Sequence, residues 1–313
     1  MIAFTLRRLG AGVVLLVVIS MLAYALLFAS GTNVARNILG EFATEDQVLL
    51  KAQELGLDRP LAERYLDWAG AAVRGDLGRS WFGSQSVTDS ILSRLPVTLV
   101  LITTAIVLTG LLALVIGVAA AVRRGWIDRA LQAVAVVCDA IPGFVIALLL
   151  VIALAIQAGV FPATSTIGPG APPSAWVLSL TLPVVALVLN AVASSAQQVR
   201  SAVIKQYERD SVRTLRSRGI SEREILLTYV LRGASPAALT VLSLQFIGML
   251  GGVVIIESIV ALPGIGSLAV PATQQGDVPV VMGVVIYTVV VVVVVNLLVD
   301  LLNGWLNPKV RVS

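Results

Sequence analysis

Histidine is absent from this 313-residue chain, and cysteine occurs once, at Cys138. Without histidine, no Ser-His-Asp triad, His-based metal site or imidazole acid/base can be assembled from the chain itself. A lone cysteine excludes an internal disulfide and any zinc-type cysteine cluster. No Gly-x-x-x-x-Gly-Lys-Ser/Thr phosphate loop is present either, so nothing here is built to cradle ATP. Charge is scarce, at 13% of residues, where a soluble domain carries about 25%. A surface so poor in charge cannot be solvated by water throughout. With 58% hydrophobic residues and a mean hydropathy of +0.95, much of the chain must have lipid as its solvent. These absences point to an all-α polytopic membrane protein with no catalysis, metal or cofactor of its own.

A helix needs about 20 apolar residues to cross the hydrocarbon core. Six stretches qualify: 9–30, 96–122, 130–158, 175–197, 236–262 and 280–306. The first follows Arg7 and Arg8 and ends in Ala29, Ser30 and Gly31, which also fits a cleavable signal peptide. Its apolar run exceeds a usual signal core, so a retained span is expected. The last contains seven consecutive valines, 289–295. β-Branched runs favour strands in water, but a lone strand in lipid leaves its backbone unsatisfied, so helix is expected there too.

Orientation follows from the distribution of Lys and Arg. With the N-terminus inside, the cytoplasmic segments carry 2 basic residues before the first span, 3 at 123–129, 8 at 200–232 and 2 in the tail, Lys309 and Arg311. The short outer loops, 159–174 and 263–279, carry none. The other 7 lie in the long 31–95 segment, where 9 acidic residues outnumber them, and long translocated segments largely escape the rule. Both termini are expected in the cytoplasm. The chain divides into an N-terminus and first span (1–30), an extracytoplasmic cap (31–95), a five-span core (96–307) and a tail (308–313). A basic loop, 205–235, joins the fourth and fifth spans.

That loop is the most informative part of the chain. Gly219 is placed to end one helix in the left-handed conformation. Ser221 and Glu224 then form a capping-box pattern ahead of Ile225, Leu226 and Leu227. Two short helices should meet at a tight turn carrying Arg213, Arg216, Arg218 and Arg223. Local chemistry alone leaves more than one reading open: a solvated positive-inside loop resting on acidic headgroups, or a nucleic-acid helix-turn-helix, for which a basic surface alone is weak evidence.

The stretch Arg213, Thr214, Leu215, Arg216, Ser217, Arg218, Gly219, Ile220, Ser221, Glu222, with Pro236 seventeen residues after the glycine, resembles the "EAA" loop of ABC importer permeases. More narrowly it is similar to the oligopeptide/dipeptide permease family, although Leu215, Ser217 and Arg218 replace that family's usual Ala, Ala and Lys. Further patches follow in the family's order: 55–61 with Tyr65, Leu66 and Trp68, then 74–80, 94–98, 263–266, 277–280 and 296–301. The resemblance implies that 213–222 is the coupling helix, docking into a cleft on an ATPase subunit. It implies a second homologous permease completing a heterodimer, two ATP-binding subunits or one fused ATPase holding ATP and Mg, and an extracytoplasmic substrate-binding protein received by 31–95. A bacterial inner-membrane location and short-peptide cargo are implied too, with nickel, haem or glutathione as alternatives.

Four polar residues interrupt the apolar spans: Asp139, Asn190, Glu257 and Asp300. Intramembrane carboxylates usually face a cavity or a partner. Glu257 is read either as facing the pathway or as bonding a neighbouring helix. Asp139, beside Pro142 and Gly143, is a candidate for cavity lining, because a kink there frees backbone carbonyls. Asp300 is read as an anchor between helices. Pro263 and Gly264 end the fifth span and form either a gate or a plain turn. A secondary transporter is the rival class, but inverted repeats are not evident. An intramembrane protease lacks the necessary histidine or metal, and Asp139 and Asp300 lack the flanking glycine pattern of aspartyl types.

Overall fold

The computed structural model describes residues 2–29, 34–123 and 125–306; the tail, 308–313, lies outside them. Among the described residues the chain is helical, and the only β pairing is an isolated bridge between Arg79 and Ser86. In order, the helices are α1 (Ile2–Ala29), α2 (Val34–Leu39), α3 (Glu45–Glu54), α4 (Leu61–Val73), α5 (Val87–Arg123), α6 (Trp126–Ala140), α7 (Gly143–Leu150), α8 (Pro173–Tyr207), α9 (Asp210–Ser217), α10 (Glu222–Glu224), α11 (Leu231–Ile259), α12 (Ile265–Gln275) and α13 (Val278–Leu306). Wider π turns extend α7 through Val151–Gln157 and join α10 to α11 through Ile225–Val230.

Five helices are long and apolar enough to cross a membrane, and a sixth crossing exists if the bent pair α6–α7 counts as one. The protein is therefore an all-α polytopic membrane protein. The valine run of α13 is helical, as lipid requires. The third expected span, 130–158, is not one rod: its two halves are bent by 91°. Ile141 is extended, and Pro142, with its fixed φ and no N–H, starts the second half. The expected outer loop, 263–279, instead contains α12, closed by Gly276 in the left-handed conformation (φ +80°).

The chain forms two compact units, Leu99–Leu262 with the end of α13 from Val294, and Ile2–Thr98 with Pro263–Val293. In the first, α8 is the central post. Leu180, Leu182, Val184, Ala186, Leu187 and Val188 are all buried, while Leu178, Val185 and Leu189 leave one apolar stripe exposed. Small residues let neighbours come close. A Cβ on Gly117 of α5 would sit 2.6 Å from the Ala196 carbonyl oxygen of α8. Polar atoms tie the same helices: Ser243 Oγ donates to Asn296 Oδ1 at 2.6 Å, and Gln245 Nε2 to Ser194 Oγ at 3.2 Å.

In the second unit, the 34–95 segment packs rather than trails. Val34, Ala35, Val48, Val87 and Ile91 are buried. Buried Asp277, opening α13, accepts hydrogen bonds from Ser80 Oγ and from Trp81 N. Thr98 Oγ1 accepts from Ile265 N at 2.9 Å, filling one of the unpaired donors at the α12 N-terminus. A Cβ on Gly283 would lie 2.5 Å from Val87 Cγ1, so α13 touches the start of α5 directly.

Candidate functional site

The basic loop folds as a hairpin with an apolar root and a charged crest. On the root side, Val212, Ile225 and Val230 are buried in a cluster with Ala113, Ala120, Ala196, Val199, Val203 and Ala234. Leu215, Ile220 and Leu226 pack against its edge. That contact explains a leucine at position 215, where alanine would leave the cluster open. On the crest, Arg213 points outward with 89% of its side chain exposed, 3.9 Å from Asp210.

Between root and crest the turn is closed by specific bonds. Gly219 takes φ +77° with no atom near its α-carbon's missing side chain, so the glycine is needed for its backbone and not for space. Arg218 caps α9, Thr214 Oγ1 donates to Asp210 O at 3.1 Å, and Ser217 Oγ donates to Thr214 O at 2.8 Å. Ser221 Oγ accepts from Glu224 N at 3.3 Å. Only that half of the expected capping box is made among the described residues. Arg216 donates from Nε to Glu222 Oε1 at 2.6 Å and from Nη2 to Oε2 at 3.2 Å, a fork that bridges the two arms of the turn. Those hydrogen bonds hold the Glu222 carboxyl below its ordinary range and push the Arg216 guanidinium up. The Tyr207 ring lies under the same guanidinium, 5.6 Å from its centre. A cleft of about 560 Å³ opens here, lined by Tyr207, Glu208, Arg216, Glu222, Arg223 and Leu226.

Sequence reasoning expected two short helices at this turn. The second arm is instead the head of a 38-residue helix, Glu222–Ile259. Pro236 does not end it: proline leaves the carbonyl four residues back without a donor, and Ser235 Oγ supplies one to Arg232 O at 2.9 Å. Gln206 Nε2 also reaches Gly233 O at 2.9 Å, tying the end of α8 to the same turn. The hairpin is thus continuous with a helix long and apolar enough to cross a membrane.

The remaining candidates do not gather around one point. Glu257 is fully buried within α11. Asp139 lies in α6, but its side chain falls outside the described residues. Pro263 and Gly264 form the turn into α12, with Gly264 as N-cap, and Asp300 sits in α13. Two polar contacts were not foreseen, although Asn190 itself was singled out. Asn190 of α8 donates through Nδ2 to Cys138 O at 3.4 Å and Ile141 O at 3.0 Å, filling carbonyls freed at the α6–α7 break. Arg200 pairs with Asp128 across α8 and α6, donating from Nη2 to Oδ2 at 2.5 Å. A polar amide opposite a Pro-Gly break was the available signal for the first.

Two family models cover almost the whole chain: residues 1–102 match the N-terminal membrane component of binding-protein-dependent transport systems, and residues 113–312 match the inner membrane component of the same systems. The chain belongs to the binding-protein-dependent transport system inner membrane component family. It is the permease subunit of an ABC importer and a multi-pass membrane protein, and its system depends on a binding protein. The chain is similar to a protein of Brucella abortus named as a peptide transport system permease, 34% identical over 99% of each chain. A peptide ABC transporter permease of Sinorhizobium fredii is 32% identical over 98% of this chain and 99% of its own. The glutathione transport system permease of Escherichia coli K12 is 30% identical over 99% of each.

Proposed function

We propose that this permease forms half of a pathway for short peptides, delivered by an extracytoplasmic binding protein and driven by ATP hydrolysed on partner subunits. The observation that carries the coupling role is the continuity of the 213–222 turn, through Glu222–Ile259, with a membrane-crossing helix. A clamp that closes on the crest pushes a lever, and the lever is a span. The apolar root holds the hairpin to the bundle, so force at Arg213 and Arg216 moves helices rather than bending a loop.

In this reading both termini and the hairpin are cytoplasmic, and the 31–95 segment receives the binding protein on the opposite face. The chain itself is non-catalytic; ATP and Mg sit on two ATPase subunits or one fused protein. A second, related permease completes a heterodimer. Peptide cargo is carried over from the Brucella and Sinorhizobium relatives, and glutathione, itself a short peptide, is the alternative that the Escherichia relative favours.

The test is mild detergent extraction of the chain from cells expressing its whole transport system. Co-purification with an ATPase and a second permease, and ATP-dependent uptake of labelled di- or oligopeptides by the reconstituted complex, are the expected results. Uptake by the chain alone, without any ATPase, refutes the reading. A topology map placing Arg213 across the membrane from the ATPase would also overturn it.

A further inference from the structure

Helix α4 lies against α1 well inside the end of the apolar first span. The Tyr65 hydroxyl is 2.9 Å from Ser20 Oγ, and Ser20 lies eight residues before Phe28, the last residue of the first span. At 1.5 Å per residue that is about 12 Å along the helix axis. One turn nearer the end, Tyr24 meets the rings of Phe28, Tyr65 and Trp68 at 4.9, 5.6 and 6.2 Å. The Arg64 guanidinium caps the stack, 3.9 Å over Phe28. Tyr and Trp gather where apolar and wet regions meet, and this cluster sits at one end of the span.

The rest of α4 is amphipathic in the sense that such a position requires. Ala62, Leu66, Ala69 and Val73 recur at helical spacing and form one apolar stripe. Leu66 is 67% exposed and Val73 89% exposed. Beside this stripe runs a polar one, Glu63, Asp67 and Arg74, with Glu63 and Asp67 both held by Arg59 at 3.4 and 2.8 Å. At the same level α1 leaves Met21, Leu22 and Leu26 exposed, so the stripe continues a surface that already faces lipid.

We propose that α4 is an interfacial helix, its Leu66–Val73 stripe seated in the leaflet on the side of the 31–95 segment, at the boundary between phospholipid headgroups and acyl chains. Such helices bury their apolar face about 5–10 Å below the headgroups. The cap is thereby anchored to lipid as well as to α1, which fixes the platform independently of cargo.

The experiment uses the complete transport complex in phosphatidylcholine vesicles. Cys138 is replaced by serine, and single cysteines at Leu66, Val73, Glu63 or Asp67 carry an environment-sensitive fluorophore. Labels at 66 and 73 should emit at shorter wavelength, resist iodide, and be quenched more by nitroxides near the headgroup end of the acyl chain than by nitroxides near its tip. Labels at 63 and 67 should be quenched by iodide. Iodide quenching at 66 and 73 would show a water-facing stripe and overturn the proposal. Protection from both quenchers would show a protein occupant and overturn it equally; release of that protection on removing the binding protein, or its persistence, would tell the binding protein from the second permease.

Discussion

The fork between Arg216 and Glu222 makes a prediction whose size can be worked from its exposure. The two side chains are 47% and 61% exposed, so the pair is screened, and such pairs contribute about 0.2–1 kcal/mol. Glu222→Ala removes the acceptor and leaves Arg216, the Tyr207 contact and the apolar root intact. A change of that size shifts the thermal midpoint by no more than about 2–4 °C in a protein of this length. It changes the population of the closed turn by at most about fivefold. Uptake per ATP hydrolysed in proteoliposomes should therefore fall by up to about that factor, while insertion and assembly are unchanged.

The charge-swapped pair, R216E with E222R, should recover part of the loss relative to R216E alone. A swap no better than the single change, or a thermal shift as large as a core deletion, refutes the fork as a tie. The pH dependence has a definite sign. The Glu222 carboxyl is held below its ordinary range by Arg216. Its contribution is thus present above the unfolded carboxyl pKa, about 4.3, and is lost only as pH falls through the lower folded value. The ratio of wild-type to Glu222→Ala coupling should stay flat from pH 8 to pH 6, and a ratio that narrows over this range contradicts the assignment.

Asn190→Leu leaves the Cys138 and Ile141 carbonyls without their donor; a loss of about 1–3 kcal/mol is expected by denaturant unfolding in detergent, and Asp, which donates only when protonated, should rescue it less well at high pH than at low pH. Ala261 occupies the left-handed position after α11, at φ +50°, with Leu262 N bonding back to Glu257 O at 2.9 Å. Ala261→Gly relieves a strain of about 1 kcal/mol and should raise the thermal midpoint slightly. Gly283→Val places new methyl groups against Val87 and Ile91, which already stand 2.5 and 2.9 Å from a Cβ there. It should cost about 1–3 kcal/mol or more, read as a lowered melting temperature.

Composition sufficed for the architecture because lipid enforces it: a chain this apolar has few alternatives to spanning helices. The positions of spans one and six were legible within a few residues, since runs of apolar side chains end where charge returns. The helices of spans two and four instead run on past the apolar stretch, from Val87 and to Tyr207. The 91° break at Pro142 was legible as a kink but not as a change of direction. Its depth depends on Asn190 reaching back from α8, a contact between residues about fifty apart in sequence. The hairpin was legible in Gly219 and Ser221, whose backbone roles are local. The choice of Glu222 over Glu224 as the bonded acid was not, because it follows from where α9 aims Arg216. Likewise α12 was hidden inside a segment that read as loop, with Pro271 in its middle and only Gly276 to mark its end.

The placement of Ser235 bears most on mechanism. Proline four residues beyond a carbonyl normally ends or bends a helix, and a bend between crest and span would absorb the push from the cytoplasm. Ser235 Oγ on Arg232 O and Gln206 on Gly233 O supply donors to the carbonyls just before that weak point, and the helix continues through Pro236. A π turn at Ile225–Val230 joins the crest to this helix. Ile225 and Val230, at its two ends, are both buried. A hairpin that only decorated the membrane surface would need neither the repaired proline nor the buried root. Both are what the proposed lever requires, and a hairpin cut loose from its root should lose coupling while remaining inserted.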